Sequence, residues 1–344
     1  MGMSGSRNIN ESDIRIGLVG FGYWGPHIAR NLRQIDGFDF VALVDQSPNR
    51  LSVARETYKD IDCFQDAEEA IRLSNLDAVV IATPANTHYE LARKFLQSGI
   101  HVVVEKPLTT SLSEARELVE IAKNTEKILM VDHTFVYTSA VNTLKNMVDN
   151  HELGELVYFD SMRVNLGIFQ PDVSVLWDLA VHDLAILDYV TNRKPTWVQG
   201  VGGKHKASTK EAAAYLTLNY DDGFFAHINV SWLSPTKIRQ LVLSGSKKTA
   251  IFNDLSQDEK IRIYESSVEL NEHALLNYRL GDLYVPRIEN VEALRTELMH
   301  FQECIRREVE PLTSARKALR VISILDAAER SINNEGRREY LRDE

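Results

Sequence analysis

Between Asp13 and about Val131 the chain alternates two patterns. Short apolar runs rich in β-branched residues, Ile14–Val19, Phe40–Val44, Asp77–Ala82, His101–Glu105 and Lys127–Val131, read as strands. From Ala78 to Ala82 no polar residue interrupts, which suits a strand covered on both faces. Between the runs, apolar positions recur at helical spacing: a stretch ending near Leu32, then Asn49–Tyr58, Asp66–Leu73, Thr87–Gln97 with Gly99 as its stop, and Leu112–Lys123. A short strand-like piece at Cys63-Phe64 completes the series. Such alternation predicts a parallel, doubly wound sheet.

After a bridging helix over Ser139–Asp149 the pattern changes. A long strand is predicted at Leu156–Asn165 and a single helix at Trp177–Val190. Strand-like runs follow at Thr196–Val201, Ala212–Asn219, Phe224–Ser231, Ile238–Leu243, Thr249–Phe252 and Lys260–Tyr264, separated by turns such as Asp221-Asp222-Gly223 and Ser244-Gly245. Helices over Glu289–Arg306 and Ser314–Ile332 end the pattern. The reading is an α/β nucleotide-binding domain over residues 13–135, then an α+β domain with an open antiparallel sheet over 136–340.

The first strand closes on Gly20-Phe21-Gly22-Tyr23-Trp24-Gly25, and the second on Asp45, twenty residues past Gly25. In a strand–turn–helix setting each part suits a dinucleotide. Gly20 permits the tight turn, Gly22 lets the backbone approach a pyrophosphate, and Gly25 lets helix and strand pack closely. The helix start offers N–H groups and a positive dipole end to phosphates. Asp45 is placed to accept hydrogen bonds from a ribose diol, which favours NAD, since a carboxylate repels a 2′-phosphate. Arg50 would soften that preference. The domain is therefore of the Rossmann type.

With 344 residues, 44% hydrophobic and 26% charged, the chain has an ordinary globular composition. Its net charge of −10 argues against unaided binding to nucleic acid or to an anionic membrane, both of which reward clustered Lys and Arg. Two cysteines, Cys63 and Cys304, supply neither a disulfide framework nor a cysteine zinc site and suit the reducing cytoplasm. No segment reaches the roughly 18 apolar residues that a membrane helix needs. Met1–Asp13 lacks the apolar centre of a signal peptide and reads as a frayed tail.

Ligands of open α/β sheets sit outside the carboxyl ends of the strands. There the sequence places Thr83-Pro84 to line the dinucleotide, Asn86 and Thr87 to cap the next helix, His88 near the cofactor or as a local cap, then Glu105-Lys106-Pro107 and Asp132-His133. The Lys106 ammonium can hydrogen-bond an alcohol or carbonyl oxygen and stabilise alkoxide charge. A salt bridge with Glu105 or plain solvent exposure is the alternative. A second cluster is Trp177-Asp178-Leu179-Ala180-Val181-His182-Asp183. Asp178 and His182 stand i, i+4 apart and share a helix face. Their neighbours are apolar, and burying an acid with an imidazole is costly unless the two are paired or used. His182 can take a proton from a substrate hydroxyl, and Asp178 can orient the substrate or hold the imidazole's tautomer. A satisfied core pair is the alternative. Asp183, rotated about 100° away, reads as structural. No third ligand at metal spacing is identifiable, so no metal is expected.

Taken together, Gly20-Phe21-Gly22-Tyr23-Trp24-Gly25, Asp45, Ala82-Thr83-Pro84, Glu105-Lys106-Pro107 and Asp178-x-x-x-His182 make the chain resemble the Gfo/Idh/MocA oxidoreductases, from about residue 13 to 335. The resemblance implies an NAD-dependent dehydrogenase acting on sugars, inositols or nucleotide-linked sugars. It makes Lys106 and His182 the catalytic pair, with Asp178 beside them, and implies dimers or tetramers formed through the open face of the second sheet. The Gly22-Tyr23-Trp24-Gly25 and Trp177-Asp178-Leu179 wording is most similar to members from polysaccharide and nucleotide-sugar pathways, including those oxidising C3 of an N-acetylated UDP-sugar. Leu179-Ala180-Val181 departs from the glycine-rich wording common before the catalytic histidine. Phe135, Tyr137, Arg163, Asn165 and Trp177 are further candidates on the substrate side. Arg163 reads equally as a donor to a phosphate or carboxylate and as one half of a surface ion pair. Other readings stay open on this scaffold: reduction of a keto-sugar, oxidation of an inositol or other polyol, glycoside hydrolysis with no net redox change, and non-catalytic NAD sensing.

Overall fold

Apolar runs without polar interruption are stable only between covering layers, and the first six strands occupy such a place. The computed structural model describes residues 13–341 apart from 168, 171, 207, 266, 271–275 and 280. Strands β1 (Ile14–Val19), β2 (Phe38–Val44), β3 (Asp62–Phe64), β4 (Ala78–Ile81), β5 (His101–Glu105) and β6 (Leu129–Asp132) form a wholly parallel sheet in the order β3-β2-β1-β4-β5-β6. Every residue of β4 is buried, as its unbroken apolar run requires. Helices α1 (Gly25–Gln34), α2 (Pro48–Thr57), α3 (Ala67–Leu73), α4 (His88–Gln97) and α5 (Leu112–Asn124) connect the strands. The Asp66 carboxylate caps α3 by accepting from the Glu68 N–H at 3.0 Å. A single 3₁₀ turn over Ala85–Thr87 precedes α4. Strand order reverses between β1 and β4, the point where a crevice opens at the carboxyl edge of such a sheet.

The chain divides into two compact units. One runs to Asp132 and adds Leu294–Leu319; the other takes His133–Ala293 and the chain from Arg320 onward. The sequence-drawn boundary at 135/136 left the whole tail with the second domain, and the division differs there. Within the first unit, Leu298, Phe301 and Cys304 are buried, Gln302 Nε2 donates to the Asp36 carbonyl at 3.0 Å, and the Val131 N–H donates to the Thr313 carbonyl at 2.9 Å. An amphipathic pattern shows that a helix has a face to cover. It does not show which sheet covers it.

In the second unit, α6 (Ser139–Asp149) and β7 (Leu156–Leu166) lead to a π turn over Leu176–Ala180 and then α7 (Val181–Thr191). The following strands are β8 (Trp197–Lys204), β9 (Glu211–Asn219), β10 (Phe225–Ser231), β11 (Leu233–Gly245), β12 (Thr249–Asn253) and β13 (Ile261–Tyr264). A separate two-stranded pair, β14 (Ser267–Leu270) and β15 (Leu276–Arg279), and a short β16 (Leu283–Tyr284) come next. Helices α8 (Ala293–Arg307) and α9 (Ala315–Asn333) and the edge strand β17 (Glu339–Tyr340) complete the described chain. Nine strands form one sheet in the order β16-β13-β12-β11-β7-β10-β9-β8-β17. The sheet is mixed, because β7 and β10 run parallel while its other pairs are antiparallel. Between them the chain leaves β7, forms α7, and returns through the β8–β9 hairpin, so it re-enters beside β7 in the same direction.

Alternation along β9 and β10 buries Ala212, Ala214, Leu216, Leu218, Ala226, Ile228 and Val230 on one face. There α9 lies close: the Gly200 N–H donates to Ser331 Oγ at 2.9 Å, and a Cβ on Gly200 would stand 3.0 Å from the Ile332 side chain. Met162, Val201, Tyr215 and Phe225 are exposed on the strands of the same sheet. Among the described residues no helix is long and apolar enough to cross a membrane.

One edge of the first sheet carries a pH-dependent contact. His101 Nδ1 accepts the Ile128 N–H at 3.0 Å, and burial, assisted by the Lys127 ammonium, lowers the imidazole pKa from 6.5 to about 4. Between those values the unfolded chain binds a proton that the folded one excludes, so this group's contribution to stability is lost as pH falls through that window. The urea midpoint is expected to drop on acidification from pH 6.5 to pH 4, and to drop less in His101→Gln. Equal drops would show that the imidazole contributes nothing.

Candidate active site

The parallel register sets one row of strand ends side by side. Val19 pairs with Val44 on one side and Ile81 on the other, Ile81 pairs with Val104, and Glu105 pairs with Asp132. The residues just beyond, Gly20, Asp45, Ala82-Thr83-Pro84 and Lys106, therefore emerge at a common edge.

At the glycine turn, Gly20 has φ +98°, and a Cβ there would stand 2.4 Å from the Ala82 carbonyl oxygen. Gly25 is equally restricted, since its Cβ would come within 2.7 Å of the Gly20 oxygen. Gly22 differs: a Cβ there would meet only Arg50 Nη1, at 3.9 Å, so its backbone is open to an approaching group. α1 starts without a side-chain cap, with Pro26 in its first turn. Asp45 is buried, with one carboxylate oxygen accepting the Phe21 N–H at 2.7 Å and the other accepting the Ser47 N–H at 2.8 Å. Arg50 Nη1 lies 3.5 Å from the first oxygen. An acid at the end of β2, open backbone at Gly22 and an uncapped helix start fit a dinucleotide. Tyr23 and Trp24 are exposed, packed edge to face with centroids 5.5 Å apart.

Thr83 accepts a hydrogen bond from the Thr87 hydroxyl at 2.7 Å. His88 is buried rather than lining the edge. Its ring nitrogens sit 2.8 Å from the Pro107 carbonyl oxygen and 2.9 Å from the Thr83 carbonyl oxygen. The imidazole thus ties the turn after β4 to the turn after β5, a role that a reading of local capping does not reach. Lys106 begins that second turn, through a cis peptide to Pro107, and its N–H donates to Glu105 Oε2 at 3.1 Å. Burial first, and the Asp132 carboxylate next, push the Glu105 carboxyl well above the usual range, with the Lys106 ammonium opposing them. The sequence reading placed Asp132 at a strand end but missed its pairing with Glu105. An acid closing each of two adjacent parallel strands was the available signal.

In the second unit, residues 176–187 are buried except for Asp178, Leu179 and His182. Within that stretch the predicted acid and imidazole are the accessible polar residues. Local geometry is not the simple α-helix expected: Leu176–Ala180 is a π turn, wider than an α turn, and such turns recur at functional sites. Asp178 Oδ2 accepts the Trp232 indole N–H at 3.1 Å. The edge of Phe135 meets the His182 ring with centroids 5.1 Å apart, and the Arg163 guanidinium stacks on Phe135 at 4.5 Å.

Arg163 is itself held by a bidentate, fully buried pair with Asp183, at 2.9 and 3.0 Å. An ion pair was one of its two readings, but the pair lies in the interior and not on the surface. Asp183 is its partner. Tyr137 and Trp177 are buried, and Trp177 hydrogen-bonds Glu329, while Asn165 and Phe135 stay half-exposed. The seven substrate-side candidates therefore separate into accessible residues, Phe135, Asn165, Asp178 and His182, and buried supports, Tyr137, Arg163 and Trp177. Among the described residues no group of His, Cys, Asp and Glu could hold a metal ion.

Residues 14–133 match the model of an oxidoreductase family with an NAD-binding Rossmann fold, and residues 141–251 match the GFO/IDH/MocA C-terminal domain. The UDP-N-acetylglucosamine 3-dehydrogenase of Acidithiobacillus ferrooxidans is 26% identical over 313 residues, 90% of each chain. The scyllo-inositol 2-dehydrogenase (NAD(+)) of Bacillus subtilis is 26% identical over 344 aligned positions, 94% of this chain and 95% of that one. In fold, an oxidoreductase from Agrobacterium radiobacter in complex with NAD+, L-tartaric acid and magnesium superposes with a TM-score of 0.80, at 18% identity, over 95% of this chain and 98% of that one.

If Asp45 holds both the turn and the ribose, Asp45→Ala should weaken NADH binding by about 10- to 100-fold, the equivalent of one charged hydrogen bond. NADH fluorescence titration measures this, and an unchanged Kd would remove Asp45 from the site.

Proposed function

Because this chain belongs to the oxidoreductase family with an NAD-binding Rossmann fold, we propose that it is an NAD-dependent dehydrogenase of a sugar ring hydroxyl. The proposed substrate is nucleotide-linked, an N-acetylated UDP-sugar oxidised at C3. The observation that carries the reading is the accessible Asp178/His182 pair within the largely buried stretch 176–187. The 3-dehydrogenase with 90% mutual coverage supports the choice of substrate.

NAD, when bound, supplies the two-electron acceptor for the alcohol carbon. Gly20, Phe21, Gly22, Tyr23, Trp24 and Gly25 would hold its pyrophosphate and Asp45 its ribose, with Thr83, Pro84 and Glu105 along its edge. His182 takes the hydroxyl proton, with Phe135 fixing its ring plane through the edge contact. Lys106 donates to the same oxygen and stabilises alkoxide charge as it develops. Asp178 orients the neighbouring hydroxyl. The proton leaves on His182, and solvent receives it when the imidazole is released.

The scyllo-inositol 2-dehydrogenase relative favours a second reading, oxidation of a free polyol. Screening nucleotide sugars and free polyols for NADH formation, with the product identified by mass spectrometry, decides between the two. Glycoside cleavage without NADH formation would instead assign the chain to hydrolysis. We further propose self-association through the exposed face of the nine-stranded sheet; the row of Met162, Asn229, Tyr215 and Val201 across β7, β10, β9 and β8 supports it. Free thiols at Cys63 and Cys304 support a cytoplasmic setting.

Lys106→Met and His182→Ala are each expected to lower kcat by at least about 10² while NADH affinity changes little. Near-normal turnover in both variants would end the assignment. Tyr215→Glu should convert an oligomer to monomers in sedimentation, and an oligomer of unchanged size would move the contact elsewhere.

A further inference from the structure

Trp232 belongs to no motif of the sequence, yet it touches the accessible acid. It stands directly after β10, is 1% exposed, and its indole Nε1 donates to Asp178 Oδ2 at 3.1 Å. Its backbone is fixed on two sides, with its N–H donating to the Ala212 carbonyl at 2.9 Å and its own carbonyl accepting the Gly167 N–H at 3.0 Å. Gly167 passes so near that a Cβ there would fall 2.7 Å from indole Cδ1 and 2.9 Å from Asn165 Nδ2. Phe169 tilts against the indole with ring centroids 5.5 Å apart. The indole therefore has little freedom to turn. Asp178 sits in the π turn of Leu176–Ala180 and is half-exposed. A carboxylate rotates about χ2 with a broad preference, so one fixed donor on Oδ2 also fixes where Oδ1 faces.

Resting on the dehydrogenase reading, we propose that Trp232 is a positioning residue for sugar oxidation. Its N–H locks the Asp178 carboxylate in the orientation that accepts a hydroxyl vicinal to the one being oxidised. The substrate class that follows is a ring with adjacent hydroxyls, and an isolated secondary alcohol gains nothing from the arrangement.

Four full-length proteins test this: wild type, Trp232→Phe, Asp178→Ala and the double variant. Trp232→Phe should lower kcat on the vicinal diol by about 10- to 100-fold, with NADH affinity unchanged. In the Asp178→Ala background the same replacement should cost less than about twofold more, because the group it orients has gone. Indole ¹⁵N–¹H spectra supply a readout that needs no turnover. Of the signals from the four tryptophans, the one missing in Trp232→Phe should move upfield in Asp178→Ala. A resonance that stays in place, or kinetic losses that simply add, would overturn the proposal. A wild-type protein inactive on every sugar while the resonance moves as expected would overturn the dehydrogenase reading, and the positioning role with it, but not the contact.

Discussion

The first unit turns on a place where no side chain can stand. Gly20 takes a backbone angle of +98°, and a Cβ there would collide with the Ala82 carbonyl oxygen at 2.4 Å; its absence lets the end of β1 bend away beside β4. That bend sits where the strand order reverses, so the backbone rather than side chains lines the crevice. Asp45 secures the bend from the other side by accepting the Phe21 N–H. A carboxylate used this way has lone pairs left for a ribose, so one residue can serve both fold and ligand.

The second unit handles polar groups in an apolar helix in two ways. Asp183 and Arg163 are satisfied internally, in a bidentate pair of the kind whose disruption costs about 3–5 kcal/mol when one partner is removed. Asp178 and His182 reach the surface instead and are steadied by aromatic neighbours, Trp232 and Phe135. Through Phe135 the two arrangements are connected, since the ring carries the Arg163 guanidinium on its face and His182 at its edge. The buried ion pair is thereby part of what orients the imidazole.

Much of this was legible in the sequence where one chemical need maps onto one local pattern. β4 shows as an uninterrupted apolar run, the glycine turn as a spacing, and α6 as a helix over the same residues, Ser139–Asp149, that its periodicity marks. What escaped depends on partners distant in the chain. His88 looks like a helix cap until Pro107 is known to lie beside it, and Arg163 looks like a surface donor until Asp183 is placed against it. Helix α8 shows its apolar face in the pattern but not that this face belongs with the first unit. The π turn at Leu176–Ala180 leaves no mark in the residue spacing, and Trp232 reads as an ordinary aromatic after a strand.

The dehydrogenase proposal stands on one event, the passage of the C–H hydrogen of a hydroxyl-bearing ring carbon to NAD. A nucleotide sugar carrying deuterium at the carbon to be oxidised tests that claim most directly. The account predicts that the label appears in the reduced cofactor, recovered and weighed by mass spectrometry. Turnover of the sugar with the label retained in the product, or lost to solvent with no reduced cofactor formed, would contradict it.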